Sequence, residues 1–341
     1  MAGRRARASS TAATRHLPKL SSCNEIRHMR PLGFALLFTS LACARPCEAA
    51  AVSRADTVVV FAAASLAVPI RAALDSFARR TGTVVQQENG ASLELARRIT
   101  ELGRVPDVIA LADQEVFPQL LVPRAASWYV RFARNRMVVA FTGRSTGAAQ
   151  LTAEHWHRVL SRPDVRVGRS DPRLAPAGYR TLLLYRLAEG YYRVPGLASR
   201  LEARTPPALM RGNASELVAL LQAGELDYII DYESLARSNR LRFVTLPPAI
   251  DLGDPARASE YARASVRVAR RTDTTIYRGA PIVYAATVPR GAPHPSAGQR
   301  FLRYLLSPAG QSVLRAHAVD ALRVPELVGD SVPPALHAMH R

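Results

Sequence analysis

Short apolar segments alternate with segments of helical spacing in the first part of the chain, and this alternation limits the fold more than any other feature. In the first helical segment, Ile70, Leu74 and Phe77 lie on one side. Strands and helices are predicted, in order, at residues 57–62, 66–80, 83–87, 93–102 and 107–112. Strands that alternate with helices through short connections form a parallel sheet with helices packed on it. The sequence therefore predicts an α/β fold.

Two more apolar strands divide the rest of the chain. Residues 136–142 and 281–288 flank a central block, from Trp156 to Tyr232, in which strands and helices alternate again. We expect this block to be a second α/β lobe, inserted into the first and joined to it by the two crossing strands. Residues 296–314 have helical spacing and are expected to pack on the first lobe. The predicted boundaries are 51–138 and 281–326 for the first lobe, 139–280 for the second lobe and 327–341 for a tail.

The composition is that of a folded, basic protein. With 341 residues, 48% of them hydrophobic, the chain can bury the cores of two lobes. The net charge is +19, and every Lys or Arg after Lys19 is an arginine. A basic surface of this kind is more often solvated than bound to nucleic acid, and no nucleic-acid recognition motif accompanies it. We therefore predict no nucleic-acid partner.

Residues 1–50 have the pattern of an export signal. Arg27 and Arg30 precede the apolar run 32–44, and small residues follow it. The apolar run is too short for a membrane-spanning helix. Met29 alone would begin a signal peptide of ordinary length and is a candidate start of the protein. This pattern predicts that the protein is exported to the periplasm or another extracytoplasmic location.

All three cysteines, Cys23, Cys43 and Cys47, lie in the same region. The rest of the chain therefore has neither a disulfide framework nor cysteine ligands for a metal. Cys43 follows Ser40-Leu41-Ala42 and is a candidate for lipid attachment. Its surroundings are a poor match for that modification, and a lipid anchor is not favoured.

Four predicted helix starts combine small residues or a Pro-Gly turn with the opening of a helix. They lie at residues 61–65, 89–92, 171–180 and 212–215. The free N–H groups of a helix's first turn, with the helix dipole behind them, favour an anion without a fixed positive charge. Taken alone, Ser65 and Ser92 would be ordinary N-caps. Four such starts in one chain suggest one anion site.

Six ordered segments carry a family resemblance: residues 57–66, 95–103, 106–113, 128–136, 176–180 and 220–228. In these segments the chain resembles the extracytoplasmic molybdate/tungstate-binding proteins of ABC transporters, over roughly residues 57–326. The resemblance implies a type II periplasmic-binding-protein fold, in which two lobes close on the oxyanion by a hinge motion. It also implies a monomer without a cofactor, whose partners are a membrane permease and its ATPase.

Within that family the chain combines features of two subgroups. It is most similar to the archaeal-type proteins, notably at residues 128–136 and 246–252. In that subgroup two carboxylates add to the coordination of the metal, and here the corresponding positions are Ala175 and Ala214. Residues 176–178 and 213–214 instead resemble the bacterial subgroup, which binds an intact tetrahedral oxyanion. The resemblance therefore implies no direct side-chain coordination of the metal.

Carried over residue by residue, the resemblance assigns five positions to the oxyanion. Ser65 and Ser92 donate hydroxyl and backbone hydrogen bonds, Ala177 and Ala214 donate backbone N–H groups, and Tyr232 donates its phenol. A rigid cage of this kind discriminates by size, because a smaller sulfate cannot reach all the donors. Asp231 would repel a dianion, and strand alternation is expected to point it away from the side of Tyr232. Arg180 would add long-range attraction or form a salt bridge at the surface or between the lobes.

Other kinds of site are weakly indicated. His155 and His157 have the spacing of a metal pair, but no third ligand accompanies them. The chain has no hydrolase nucleophile motif, phosphate loop or dinucleotide fingerprint, which argues against a hydrolase or a nucleotide-dependent enzyme. The alternatives left open are a binder of sulfate or phosphate, a sensor domain, and a small-anion enzyme with Asp231 or a histidine as general base. The sequence does not rank molybdate against tungstate, since the two ions have nearly equal size and charge.

Overall fold

The fold consists of two mixed β-sheets and one β-hairpin. The computed structural model describes residues 56–269 and 274–337. The predicted export signal, the candidate start at Met29 and the candidate lipid site at Cys43 lie outside these residues. The strands are β1 (Thr57–Ala63), β2 (Val84–Gly90), β3 (Val108–Leu111), β4 (Trp128–Asn135), β5 (Met137–Phe141), β6 (Val167–Ser170), β7 (Met210–Arg211), β8 (Tyr228–Tyr232), β9 (Arg242–Thr245), β10 (Ser265–Ala269), β11 (Thr274–Arg278), β12 (Ile282–Thr287) and β13 (Asp320–Gly329).

Helices cover these sheets. The α-helices are α1 (Ala67–Thr81), α2 (Ser92–Thr100), α3 (Trp156–Leu160), α4 (Pro176–Tyr192), α5 (Leu197–Ala203), α6 (Ala214–Ala223), α7 (Glu233–Ser238), α8 (Ala258–Tyr261), α9 (Pro295–Leu306), α10 (Pro308–Ala316) and α11 (Pro334–His337). A 3₁₀ turn at Ala64–Leu66 connects β1 to α1. In the part of the chain that the structure describes, no helix has both the length and the apolar character needed to span a membrane.

The first sheet has the strand order β13-β4-β12-β3-β1-β2. Strand β1 pairs in parallel with both β2 and β3, as the alternating pattern predicts. Strand β3 consists of Val108, Ile109, Ala110 and Leu111, which are all buried, as is usual for a strand covered on both faces. Strands β12 and β13 join in antiparallel orientation and make the sheet mixed.

The second sheet has the order β7-β6-β8-β5-β9. Strand β6 pairs in parallel with β7 and β8, and β5 pairs in antiparallel orientation with β8 and β9. The α/β class predicted from the sequence is confirmed. Strands β10 and β11 form a separate antiparallel hairpin, and β10 packs on α4.

The chain passes between the two sheets at Arg136, which separates β4 in the first sheet from β5 in the second. The described parts of the returning segment are residues 246–269 and 274–281, which lead to β12. A loop in the returning segment contacts the first residues of both β5 and β12. The Asp251 carbonyl accepts from the Met137 N–H at 2.8 Å, and the Leu252 carbonyl accepts from the Ile282 N–H at 2.8 Å. The two crossings are therefore tied together by backbone hydrogen bonds.

The helical segment expected over residues 296–314 is two helices rather than one. Helix α9 ends at Leu306 and α10 begins at Pro308, with Ser307 between them. Proline has no N–H to continue a helix, and it is favoured in a first turn. The Ser307 hydroxyl caps α10 by accepting from the Gly310 N–H at 3.3 Å.

Candidate functional site

One pocket lies at the carboxyl ends of parallel strands from both sheets. Its lining includes the ends of β1, β2, β6 and β8 and the residue that follows β3. Ligands of open α/β sheets bind in this position, outside the carboxyl ends of the strands. All five residues assigned to the oxyanion line this pocket: Ser65, Ser92, Ala177, Ala214 and Tyr232.

The pocket is small. Its cavity volume is about 20 Å³. On this measure, a cavity needs roughly 10–15 Å³ to hold one water molecule. A site with so little free space suits a single small inorganic ion better than a sugar, a nucleotide or a peptide.

Four helical segments begin at the pocket wall, and three of them lack a side-chain cap. The residue before the 3₁₀ turn is Ala63, the residue before α2 is Ala91 and the residue before α4 is Ala175. Alanine is among the poorest N-cap residues because it has no side-chain acceptor. No side chain therefore competes with a ligand for the N–H groups of these first turns.

The fourth helical segment, α6, is capped in a way that leaves its first residue out. The Asn213 side chain accepts from the N–H groups of Ser215 at 3.0 Å and Glu216 at 3.2 Å. The Ala214 N–H is not one of the donors to this cap, and Ala214 lines the pocket. The cap thus orders the first turn of α6 and leaves the Ala214 N–H available to the pocket.

The two serine hydroxyls are arranged to donate. The Tyr284 hydroxyl donates to Ser65 Oγ at 3.2 Å, and the Ala112 N–H donates to Ser92 Oγ at 3.1 Å. Since each oxygen already accepts a hydrogen bond from the protein, the hydroxyl proton is left to point into the pocket. Neither serine is an N-cap, which removes the ordinary explanation for these two residues.

Tyr232 ends β8 and is only 1% exposed. Its hydroxyl has no hydrogen-bond partner among the described residues. Burial raises the pKa of Tyr232 well above its usual value, so the phenol stays protonated. A buried hydroxyl without a partner is costly, and one that lines a pocket is suited to donate to a ligand.

Asp231 lines the same pocket, next to Tyr232 in β8. It lies one residue from the end of β8, where the chain turns into α7 at Glu233, and the pocket extends around this strand end. Asp231 is 1% exposed, and its Oδ1 accepts from the Tyr232 N–H at 2.8 Å. Its Oδ2 has no partner within residues 56–269 and 274–337. Burial raises the pKa of Asp231 to about 7.

The positions that carry carboxylates in the archaeal-type subgroup present only methyl groups here. Ala175 and Ala214 both line the pocket. Within the described residues, no group of three or more His, Cys, Asp or Glu side chains could hold a metal ion. His157, from the weak metal pair, is buried and stacks on Tyr192 with ring centroids 4.2 Å apart.

A buried ion pair joins the two sheets beside the site. Arg180 of α4 is 1% exposed and contacts Asp113, which follows β3 and is fully buried, at 2.6 Å between Nη2 and Oδ2. Arg180 also donates to the Ala280 carbonyl at 2.6 Å, and the Tyr179 hydroxyl donates to Asp113. Of the alternatives given for Arg180, the salt bridge between lobes is the one observed. Its charge is matched by Asp113 and does not face the pocket unpaired.

Sequence reasoning missed two residues around the site. Tyr284 and Asp113 lie on other strands or strand ends and reach the site only through the tertiary fold. Asp113 ends the segment 106–113, so its place after an apolar strand was the available signal.

Comparisons with known proteins agree with this geometry. The family of bacterial extracellular solute-binding proteins matches residues 58–318. An uncharacterized solute-binding protein of Petrotoga mobilis is 37% identical over 280 residues, which cover 81% of this chain and 87% of the relative. The molybdate/tungstate-binding protein WtpA of Pyrococcus abyssi is 33% identical over 323 residues, which cover 87% of this chain and 93% of the relative.

A solved structure shows the same fold. The periplasmic molybdate-binding protein of Azotobacter vinelandii superposes with a TM-score of 0.56 at 16% identity, covering 77% of this chain and 98% of that structure. The predicted periplasmic-binding-protein fold of two α/β lobes is therefore confirmed. The matching family consists of proteins that bind solutes and are not enzymes. From the family match and the relatives, we conclude that this chain belongs to the bacterial extracellular solute-binding proteins and is related to the molybdate/tungstate-binding members.

Proposed function

We propose that the protein captures molybdate or tungstate outside the cytoplasm and delivers it to an ABC-transporter permease that is driven by an ATPase. The observation that carries this proposal is the convergence of four helix starts, two hydroxyl donors and the unpartnered Tyr232 on one small pocket. A relative that shares 33% identity over most of both chains is named for these two ions. The protein would act as an exported monomer.

Neutral donors hold the oxyanion in this proposal. Ser65 and Ser92 donate their hydroxyls, Ala177 and Ala214 donate backbone N–H groups, and Tyr232 donates its phenol. A hydrogen bond to a charged group contributes ~1.5–3 kcal/mol, so several of them together offset the desolvation of a dianion. The dipoles of α2, α4 and α6 add to this attraction, since their first turns face the ligand.

The oxyanion stays tetrahedral in the proposed complex. Ala175 and Ala214 offer no carboxylate that could expand the coordination of the metal. Oxygen atoms of the ligand, not the metal itself, contact the protein. Donors fixed at helix starts favour an ion of one size, so sulfate is expected to bind more weakly.

Closure of two lobes completes the proposed mechanism. The proposed first lobe comprises residues 51–138 and 281–326 and the second comprises residues 139–280, with a tail at 327–341. Ser65 and Ser92 come from the first lobe, whereas Ala177, Ala214 and Tyr232 come from the second. An ion that is contacted from both sides stabilises the closed form, which is the form a permease would recognise.

Calorimetric titration of the purified protein with molybdate, tungstate, sulfate and phosphate tests the proposal. We expect one-to-one binding of molybdate and tungstate, with little response to sulfate. The Ser92→Ala variant should bind more weakly, whereas Ser199→Ala on the exposed side of α5 should not change binding. Tight binding of sulfate or phosphate alone would instead favour a receptor for that ion, and turnover of the ligand would favour an enzyme.

A further inference from the structure

The carboxylate of Asp231 is the one feature of the pocket that a simple anion cage does not explain. Among the described residues that line the pocket, it is the one acidic side chain. Its Oδ1 accepts from the Tyr232 N–H, and its Oδ2 makes no hydrogen bond within residues 56–269 and 274–337, although the nearby Ser170 hydroxyl acts to lower the pKa of Asp231. A charged carboxylate in this position would repel a dianion and would leave a buried charge without compensation.

The charged groups on the neighbouring elements are occupied elsewhere. Asp231 lies on β8 between β5 and β6, and α4 and α7 contact the same strand. No positive charge near Asp231 acts to lower its pKa. The pairs around it are Arg180 with Asp113, Arg169 with Thr205 and the Ser170 carbonyl, Asp171 with Arg173, and Glu233 with Arg136 and Arg237. The other titratable groups facing this region are the phenols of Tyr232 and Tyr284, whose pKa values burial raises.

We propose that Asp231 is a specificity-determining residue that enters the complex as a neutral carboxylic acid and donates a hydrogen bond from Oδ2 to the bound oxyanion. Capture of the ion is then coupled to the uptake of one proton by the protein. This inference rests on the proposed oxyanion site. It selects a fully deprotonated dianion, which only accepts hydrogen bonds, over a protonated oxyanion that needs an acceptor in the pocket.

The pH dependence follows from the sign of the linkage. Burial raises the pKa of Asp231 to about 7 in the free protein, and a neighbouring dianion raises it further in the complex. The affinity is therefore full below about pH 7 and falls as the pH rises, by up to about tenfold per pH unit for one proton. Between about pH 7 and about pH 9 the dissociation constant for molybdate should rise up to about 100-fold.

Two measurements on the whole protein test this inference. The first is titration with molybdate or tungstate from about pH 6 to about pH 9, together with proton uptake measured by calorimetry in buffers of different ionisation enthalpy. The second repeats both on Asp231→Asn, whose amide donates at every pH. We expect the wild type to take up a proton on binding above pH 7, and Asp231→Asn to bind with an affinity that does not change with pH. Asp330→Asn, at an exposed position, is the matched control and should behave like the wild type.

The outcomes separate this inference from the proposed function. Molybdate binding that is independent of pH in the wild type, without proton uptake, would overturn the role of Asp231 and leave the receptor intact. Retention of the pH dependence in Asp231→Asn would also overturn it. If no oxyanion binds at any pH, both proposals fail. Since proton uptake is measured on the wild type, the test does not depend on the folding of the variant.

Discussion

At the residue scale, the Tyr232 hydroxyl separates ligand binding from stability. The phenol is buried, yet its hydroxyl has no partner in the described part of the chain. Tyr232→Phe should therefore weaken molybdate binding by ~1.5–3 kcal/mol, about 10- to 150-fold, and leave the free energy of unfolding of the free protein nearly unchanged. Calorimetry and urea unfolding measure the two effects. Tyr191→Phe, on the exposed side of α4, is the control, and an equal loss of binding in both variants would contradict the assignment.

Ala175 distinguishes a tetrahedral oxyanion from a metal with expanded coordination. Its methyl group lines the pocket at the start of α4, where a carboxylate would lie close to the ligand's oxygens. Ala175→Asp should weaken tungstate binding, because it adds a negative charge without an exchangeable ligand to compensate it. Ala175→Asn, of nearly the same size and uncharged, separates charge from bulk. Tighter tungstate binding by the aspartate variant would show that the protein can expand the coordination of the metal.

The sequence assigned five residues to one site without showing what would make each of them a donor. Ser65, Ser92, Ala177, Ala214 and Tyr232 all line one pocket, as the family resemblance implied. What makes the serines donors could not be foreseen, since their oxygens accept from Tyr284 and Ala112, which reach them only in the folded chain. Asp231 and Tyr232 line the same pocket although neighbouring residues of a strand point to opposite faces, because the pocket lies at the end of β8.

At the element scale, the start of α4 is held in place by a glycine. A Cβ on Gly178 would lie 2.5 Å from Pro172 N and from the Ser170 carbonyl oxygen, so no larger residue fits without moving the helix. Gly178→Ala should destabilise the protein by ~1–3 kcal/mol through overpacking and weaken oxyanion binding through displacement of the Ala177 N–H. Thermal unfolding and calorimetry measure the two losses.

The same helix offers the matched control for this substitution. A Cβ on Gly190 would meet no atom within 4 Å. Because alanine is a better helix former than glycine, Gly190→Ala should stabilise the protein by ~0.5–1 kcal/mol and leave binding unchanged. We expect the change in the free energy of unfolding to have opposite signs in Gly178→Ala and Gly190→Ala. Equal effects of the two substitutions would mean that the close approach at Gly178 does not position the site.

Element boundaries followed local chemistry more closely than apolar spacing. The apolar spacing over 296–314 predicted one helical segment, but Ser307 and Pro308 end α9 and begin α10. The strand pattern predicted β1, β2 and β3 within a few residues. The hairpin of β10 and β11 was not predicted, and its position on α4 is a product of tertiary packing.

At the scale of the whole molecule, the chain crosses between the sheets beside a shared loop. The backbone contacts of Asp251 and Leu252 tie the outgoing and returning crossings together. Alternating apolar segments predicted two α/β lobes, because each sheet needs its own covering helices. They could not predict that Asp113 and Arg180, 67 residues apart in the chain, would meet between the sheets, since that contact depends on how the lobes pack.

The Arg180–Asp113 pair gives the last prediction, which concerns how the sheets are held together. Both side chains are almost completely buried, so removal of one leaves the other charged and unpaired. Arg180→Met should lower the free energy of unfolding by ~3–5 kcal/mol, measured by urea unfolding. A buried pair replaced as a whole by apolar residues is often tolerated, so the double variant Arg180→Met with Asp113→Leu should be more stable than Arg180→Met alone.

The same double variant also tests the effect of the pair on ligand binding. The pair connects α4 of the second sheet to the end of β3 in the first and does not line the pocket that holds the proposed donors. If the pair stabilises the closed arrangement, the double variant should bind molybdate more weakly than the wild type, because binding must then supply the free energy of closure. The stoichiometry should remain one-to-one. Arg71→Met, which removes an exposed ion pair with Asp75, is the control. It should change neither the free energy of unfolding nor the free energy of molybdate binding by more than ~0.5 kcal/mol. Unchanged affinity in a folded double variant would show that the pair supports stability alone and that closure depends on the ligand's own contacts with the two lobes.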